Sequence, residues 1–271
     1  MNPWIRILRP VNALMGFFSI YIIGFIAVNV MFYKFLVPLT LGAISVFLVT
    51  GAGNIINDIS DLNTDKINHP DRPLPSGKIT RQSALTASII IFIIAIIISS
   101  FISYRISLIV FIAEMLLVSY EFKTKKLGLT GNFTISLLIG MIFLFGGVIT
   151  DSLLKMTLLF LLAFFSNFSR EIMKDIEDIK GDQDRMTFPK KYGIGNAKIL
   201  STVFVGITVS ISAVPYLIKI LSVYYLYAVI IDDFIFIYSV VIMRKSVSEG
   251  QKVSKIAMIF GMFSFLLGGI N

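Results

Sequence analysis

The chain has 271 residues, 56% of them hydrophobic, a mean hydropathy of +0.87 and a formal charge of +8, which excludes an ordinary soluble domain and calls for a polytopic membrane protein. It has no cysteine and a single histidine, His69, so disulfides, thiolate nucleophiles, iron–sulfur clusters and Cys or His zinc sites are ruled out, leaving oxygen ligands and hard cations. No basic stripe interleaved with aromatics suggests nucleic acid, and the positive charge reads as topology plus attraction for an anionic ligand or lipid surface.

Apolar stretches near 11–33, 36–57, 83–103, 106–122, 133–150, 153–169, 199–218, 221–243 and 254–270 make nine candidate spans. The expected fold is therefore all-α, a helical membrane bundle of about nine transmembrane helices forming one domain over 1–271. Arg6 and Arg9 precede the first run, which is long and lacks a small-residue cleavage site, so it reads as a retained span. Twenty Lys and Arg residues fall on the N-terminus and the stretches near 58–82, 123–132, 170–198 and 244–255, against four (Lys34, Arg105, Lys155 and Lys219) on the other loops. The positive-inside rule then puts the N-terminus and the long loops in the cytoplasm and the C-terminus on the opposite side.

The second span ends in an acidic cluster: Asn54, Asp58, Asp61 and Asp65 follow one another at steps of 4, 3 and 4 residues. On a helix those steps hold the four side chains within an arc of roughly 60°, a single acidic face. Asn57 lies about 100° off that face, a position from which it braces the helix rather than binding metal. Beyond Asp65, Pro70, Pro73 and Pro75 forbid a regular helix, so the acidic helix must end there. The stiffened loop carries Lys66, Arg72, Lys78 and Arg81 and is placed to fold its cations over the acidic face. The fourth span holds Glu114, an intramembrane acid that needs a partner, water or protonation, and ends in Tyr120, Glu121 and the basic run Lys123, Lys125 and Lys126.

The sixth span ends in Glu171, Asp175, Asp178 and Asp182, a second cluster at the same steps of 4, 3 and 4, displaced by 117 residues from the first. Duplicated spacing suggests two related halves with the ninth span appended. Asp184 falls roughly opposite this second face and is left out of it. Asp232 and Asp233 are further intramembrane acids, in the eighth span. Carboxylates gathered at a bilayer edge are costly unless cations neutralise them. Two such groups can hold Mg²⁺ ions that bridge protein acids and substrate phosphates, which implies a diphosphate head, and the apolar surroundings imply a hydrocarbon tail on it. A prenyl diphosphate meets both requirements.

The run from Asn54 through Asp65 into Arg72, Pro73, Leu74, Pro75, Ser76 and Gly77 resembles the UbiA superfamily of intramembrane prenyltransferases. The family's N-D-x-x-D-x-x-x-D motif falls on Asn57, Asp58, Asp61 and Asp65, its D-x-x-D-x-x-x-D motif on Asp175, Asp178 and Asp182, and its short basic motif on Tyr120 and Lys125. The resemblance implies nine helices and prenyl transfer dependent on two or more Mg²⁺ ions. The six aspartates would then be the metal-binding and catalytic set, and Asn54, Asn57, Lys66, Arg72, Tyr120, Lys125, Arg170, Glu171 and Lys174 the substrate-binding set. Within the superfamily, segments 68–77 and 169–178 are similar to the archaeal branch that joins geranylgeranyl diphosphate to the sn-2 hydroxyl of geranylgeranylglyceryl phosphate. One departure is Asp71, where relatives often carry Asn or another residue.

Other readings compete with this one. An aromatic acceptor, as in quinone, chlorophyll or haem pathways, uses the same metal chemistry. A Mg²⁺ channel or transporter would explain the carboxylates, but not the interleaved Lys, Arg and Pro residues, nor the nearly bare far loops. A phospholipid-forming phosphotransferase lacks its D-G-x-x-A-R start here. The partners expected are the two lipid substrates and the bilayer, with no nucleic acid and no obligatory protein partner.

Overall fold

The structure, a computed structural model, describes residues 2–180 and 186–270; Asp182 and Asp184 lie outside the described residues. The α-helices in chain order are α1 (Pro3–Ile7), α2 (Pro10–Val28), α3 (Leu36–Ser60), α4 (Leu62–Asn68), α5 (Arg81–Ser100), α6 (Tyr104–Phe122) and α7 (Leu129–Ile149), followed by α8 (Leu153–Glu177), α9 (Phe188–Tyr192), α10 (Ile194–Ser212), α11 (Val214–Leu217), α12 (Val223–Met243) and α13 (Val247–Gly269). Among the described residues every regular element is helical, as expected of a multi-pass membrane bundle.

Seven stretches among the described residues are long and apolar enough to cross a membrane. The first, Pro10–Ser60, runs to 51 residues and joins α2 to α3 through a 3₁₀ turn at Asn29–Phe35. Helix α6, also expected to span, carries Arg105, Glu114 and Glu121 and falls outside that set. Two compact units divide the chain, one formed by Met1–Gly24 with Tyr33–Phe122, the other by Phe25–Phe32 with Lys123–Asn271.

In the first unit α3 packs against α5 and α6. Along α5 the buried positions are Ala84, Ser88, Phe92, Ala95 and Ser99, one face at helical spacing, while Ile89, Ile90, Ile93, Ile94 and Ile97 are exposed. Lipid is as apolar as isoleucine, so small and polar residues turn inward, where helices approach closely and hydroxyls find partners. Ser45 of α3 does so, donating to Leu41 O at 2.9 Å within its helix and lying 3.4 Å from Ala95 O of α5. Ile7, Ile55, Ile56, Ile59, Leu74 and Ile79 form the core beneath the first acidic cluster.

The second unit follows the same rule. Helices α8 and α10 meet at Ser169 and Ser201, whose hydroxyls lie 2.8 Å apart. Helix α7 approaches α8 at Gly140 and Gly147, and α12 approaches α13 at Gly250, Gly261 and Gly268, where an added Cβ would stand within 2.6–2.8 Å of a neighbouring atom.

Candidate active site

The first acidic cluster sits where α3 passes into α4. The sequence pattern implies one continuous helix, but α3 and α4 are instead two helices meeting at Asp61 (φ −91°, ψ 9°). The helical hydrogen-bond spacing survives the junction: Asp61 N–H donates to Asn57 O at 2.9 Å, Asp65 to Asp61 O at 2.8 Å and His69 to Asp65 O at 2.8 Å. The acids therefore keep their common face. Helix α4 stops at Asn68, because Pro70 disfavours the helical conformation at His69, which takes φ −141°, ψ 57° instead. The proline loop then closes on itself, with the amides of Arg72, Ser76 and Ile79 donating to His69 O, Arg72 O and Pro73 O. Leu74 and Ile79 anchor it in the core of the unit.

That anchoring aims Arg72 at the acids. Its Nη1 lies 2.6 Å from Asp65 Oδ2 and 3.9 Å from Asp58 Oδ1. Asp58 is only 2% exposed, too buried to be left as a bare charge. It also forms an ion pair with Arg9, whose Nη2 lies 3.3 Å from Asn57 Oδ1. Arg9, between α1 and α2, has φ +48°, a left-handed conformation that non-glycine residues seldom adopt. Asn57 Nδ2 lies 3.2 Å from Asp61 Oδ2 and 2.9 Å from Glu121 Oε2, and Ser60 Oγ donates to Glu121 O at 2.9 Å. Asn54 Nδ2 donates to Leu8 O at 2.9 Å. Both asparagines thus brace the N-terminal segment and α6 against the acidic helix. Lys66 is exposed, Tyr120 half-buried. At the rim, the Arg6 guanidinium hydrogen-bonded to Asp71 holds that carboxyl below the usual carboxylate range.

In the second unit Glu171 and Asp175 belong to α8, while Asp178 opens a 3₁₀ turn, Asp178–Lys180, so this helix too loosens at its third acid. Glu171 is buried and accepts a hydrogen bond from Arg170 Nη1 at 2.9 Å. Asp175 Oδ2 accepts one from Asn132 Nδ2 of α7 at 2.8 Å. Lys174 and Asp178 are exposed. Lys125 lies in a short 3₁₀ turn, Thr124–Lys126, clamped against the first turn of α7: a Cβ on Gly131 would stand 2.8 Å from Thr124 O and 3.2 Å from Lys125 Cα.

Arg9, Glu121 and Asn132 were not among the residues the sequence singled out as site residues. Arg9 reads as a topological charge, and Glu121 and Asn132 as bystanders of the basic run. Their partners lie 49, 64 and 43 residues away.

The comparisons with known proteins agree with this architecture. Digeranylgeranylglyceryl phosphate synthase of Methanosphaera stadtmanae is 38% identical over 277 residues, covering 100% of both chains. A solved structure of digeranylgeranylglyceryl phosphate synthase superposes with a TM-score of 0.90 at 35% identity, over 99% of this chain and 98% of that one. A UbiA homolog from Archaeoglobus fulgidus bound to DMAPP and Mg²⁺ shares the fold, with a TM-score of 0.66 at 17% identity over 97% and 98% of the two chains. The UbiA prenyltransferase family model matches residues 12–267, from α2 to α13, and the chain belongs to that family of membrane prenyltransferases.

Proposed function

We propose that the protein transfers a geranylgeranyl group from geranylgeranyl diphosphate to the sn-2 hydroxyl of geranylgeranylglyceryl phosphate, forming the second ether bond of archaeal membrane lipids. In this reaction the C1–O bond of the allylic diphosphate breaks, the diphosphate departs with the bonding pair, the acceptor oxygen bonds to C1, and its hydroxyl proton is lost. The observation that carries the reading is the interleaving of Asp58 and Asp65 with Arg9 and Arg72 at the end of a membrane helix. Carboxylates and guanidiniums together suit a polyanion held partly through metal and partly through arginine. The choice of acceptor is supported by the full-length similarity to the Methanosphaera stadtmanae synthase.

The donor set fits Mg²⁺. It is all oxygen, and Arg72 Nη1 already occupies a position between the carboxylates of Asp58 and Asp65, so a positive centre is accommodated there. Mg²⁺ characteristically draws further oxygens from substrate phosphate, so the carboxylates need not form a complete cage by themselves. The proposed ligands are Asp58, Asp61, Asp65, Asp175, Asp178 and Asp182, for two or more ions. Bound Mg²⁺ supplies positive charge against the charge developing on the departing diphosphate. Arg72, Lys66, Lys125, Arg170 and Lys174 bind and orient the anionic heads, Tyr120 contributes a hydroxyl to the same set, and Glu171 holds Arg170 in place. Asn54 and Asn57 keep the acidic face aligned for substrate. Both units make one prenyltransferase domain, with the acidic ends cytoplasmic.

Purified protein incubated with Mg²⁺, geranylgeranyl diphosphate and geranylgeranylglyceryl phosphate, with 4-hydroxybenzoate as a parallel acceptor, tests the reading by mass spectrometry. The doubly prenylated glycerol phosphate is expected, abolished by EDTA and by Asp58→Ala or Asp175→Ala in protein that remains folded. A prenylated aromatic alone moves the function to quinone-type chemistry, and product from both variants at near-normal rates removes the metal-site assignment.

A further inference from the structure

The second unit holds a cavity of about 120 Å³ among α7, α8, α10, α12 and α13. Asp232 and Asp233 line it at the middle of α12. Asp232 is 4% exposed, and its Oδ1 has no protein hydrogen-bond partner. Its other oxygen has room only because residue 261 is glycine: a Cβ there would stand 2.7 Å from Asp232 Oδ2.

The remaining polar groups of the lining are four hydroxyls, and each has its proton committed to a protein oxygen. Ser166 Oγ donates to Ala163 O at 3.1 Å, Thr208 Oγ1 to Phe204 O at 2.9 Å and Tyr225 Oη to Ser212 O at 2.5 Å. Ser212 Oγ has one proton to share between Val209 O at 2.8 Å and Asp233 Oδ2 at 2.7 Å. Among the described residues, no Lys, Arg, His, Asn, Gln or Trp lines the cavity. With Asp232 and Asp233 ionised, its polar end offers only oxygen lone pairs and negative charge, which calls for an occupant that brings donors or positive charge.

The opposite wall is hydrocarbon and aromatic. Phe265 stacks with Tyr225 at 6.0 Å and meets Phe143 edge-on at 5.8 Å, and Phe236 and Met262 complete that side. An inorganic cation would need oxygens all round it, whereas most of this lining is hydrocarbon, with the four rings of Phe143, Tyr225, Phe236 and Phe265 among it, and aromatic rings attract organic cations.

We propose that this cavity binds a lipophilic organic ammonium ion that enters from the bilayer, its charge held by Asp232 and Asp233 and its hydrocarbon part by the aromatic wall. The proposal is independent of the acceptor chosen for prenyl transfer.

Full-length protein in uncharged-lipid nanodiscs, titrated with hexylammonium chloride, tests it by thermal unfolding and by saturation-transfer NMR of the hexyl chain. A saturable rise in Tm is expected with hexylammonium, absent with equal 1-hexanol or NaCl, and Asp232→Asn should weaken binding at least tenfold. The NMR signal on wild-type protein keeps the test decisive should that variant not fold. An equal rise with hexanol would reduce the cavity to an apolar void, and a rise with NaCl alone would make it an inorganic-cation site. Displacement of hexylammonium by geranylgeraniol would give it to a prenyl chain, and no saturable effect would leave it without a ligand. Each of these four results overturns the proposal.

Discussion

Asp58 is the residue on which the first cluster turns, because its burial makes it depend on its partners. Removing Arg9 leaves it only the more distant Arg72 at 3.9 Å, and losing a charged hydrogen bond to a buried carboxylate costs about 1.5–3 kcal/mol. Arg9→Ala is therefore expected to lower stability by about 2 kcal/mol and kcat/KM for the prenyl diphosphate by roughly 10–100-fold, with Arg9→Lys recovering part of both. The left-handed backbone at Arg9 offers an internal control. Arg9→Gly loses the same ion pair but relieves the strain, so it should be more stable than Arg9→Ala by about 1 kcal/mol. Thermal unfolding of the three variants in one detergent decides: equal stability of Ala and wild type would show that Asp58 does not rely on Arg9. The rim pair behaves differently. Asp71 is exposed and its carboxyl lowered by Arg6, so any stability it adds is present above the ordinary carboxylate range and lost as pH falls through the lowered value. Solvent screening keeps that contribution small.

At the scale of elements, glycines decide where helices and turns approach, and two of them make opposite predictions. Gly131 abuts backbone, Thr124 O at 2.8 Å and Lys125 Cα at 3.2 Å, and backbone cannot step aside as a side-chain tip can. Gly131→Ala should push the Lys125 turn off α7, costing about 1–3 kcal/mol and raising KM for the anionic substrates. Gly206, within α10, has nothing within 4 Å of an added Cβ, and Gly206→Ala should be neutral or stabilising by up to about 1 kcal/mol. Unfolding midpoints measured side by side check both, and a harmless Gly131→Ala would mean that the turn carrying Lys125 is free to move. What was legible beforehand follows the range of each interaction. The common face of Asn54, Asp58, Asp61 and Asp65 is a property of helical spacing, and the proline loop announces its own end of helix, so both were readable from the sequence. Even there the junction at Asp61 escaped, since residues of ordinary helical propensity give no sign of it. Arg9 against Asp58, Asn132 against Asp175 and the clamp at Gly131 depend on segments brought together by packing, and no local pattern encodes them. Asp232 and Asp233 were visible as intramembrane acids, but the lone-pair lining around them emerges only when five helices are assembled.

At the scale of the whole molecule, the charge distribution makes a claim that packing alone does not: that both acidic clusters work on one side of the membrane. Twenty basic residues on one set of segments against four on the other is a bias set during insertion, before either unit is complete. The absence of cysteine makes the claim directly measurable, since any introduced thiol is the sole target for a reagent. Ser76 is in the proline loop of the first cluster, Lys191 follows the second, and Phe101 is in the turn between α5 and α6; all three are exposed. In sealed right-side-out vesicles a membrane-impermeant maleimide should label Phe101→Cys at once, and Ser76→Cys and Lys191→Cys only after the vesicles are opened. Were Ser76→Cys and Lys191→Cys to differ from each other, the clusters would lie on opposite faces of the membrane and the six aspartates could not serve as one ligand set, which ends the proposed assignment. Both labelling from outside would leave that assignment standing with the orientation inverted, and the substrates would then have to be supplied from the far side of the membrane, against the charge bias that orients the chain.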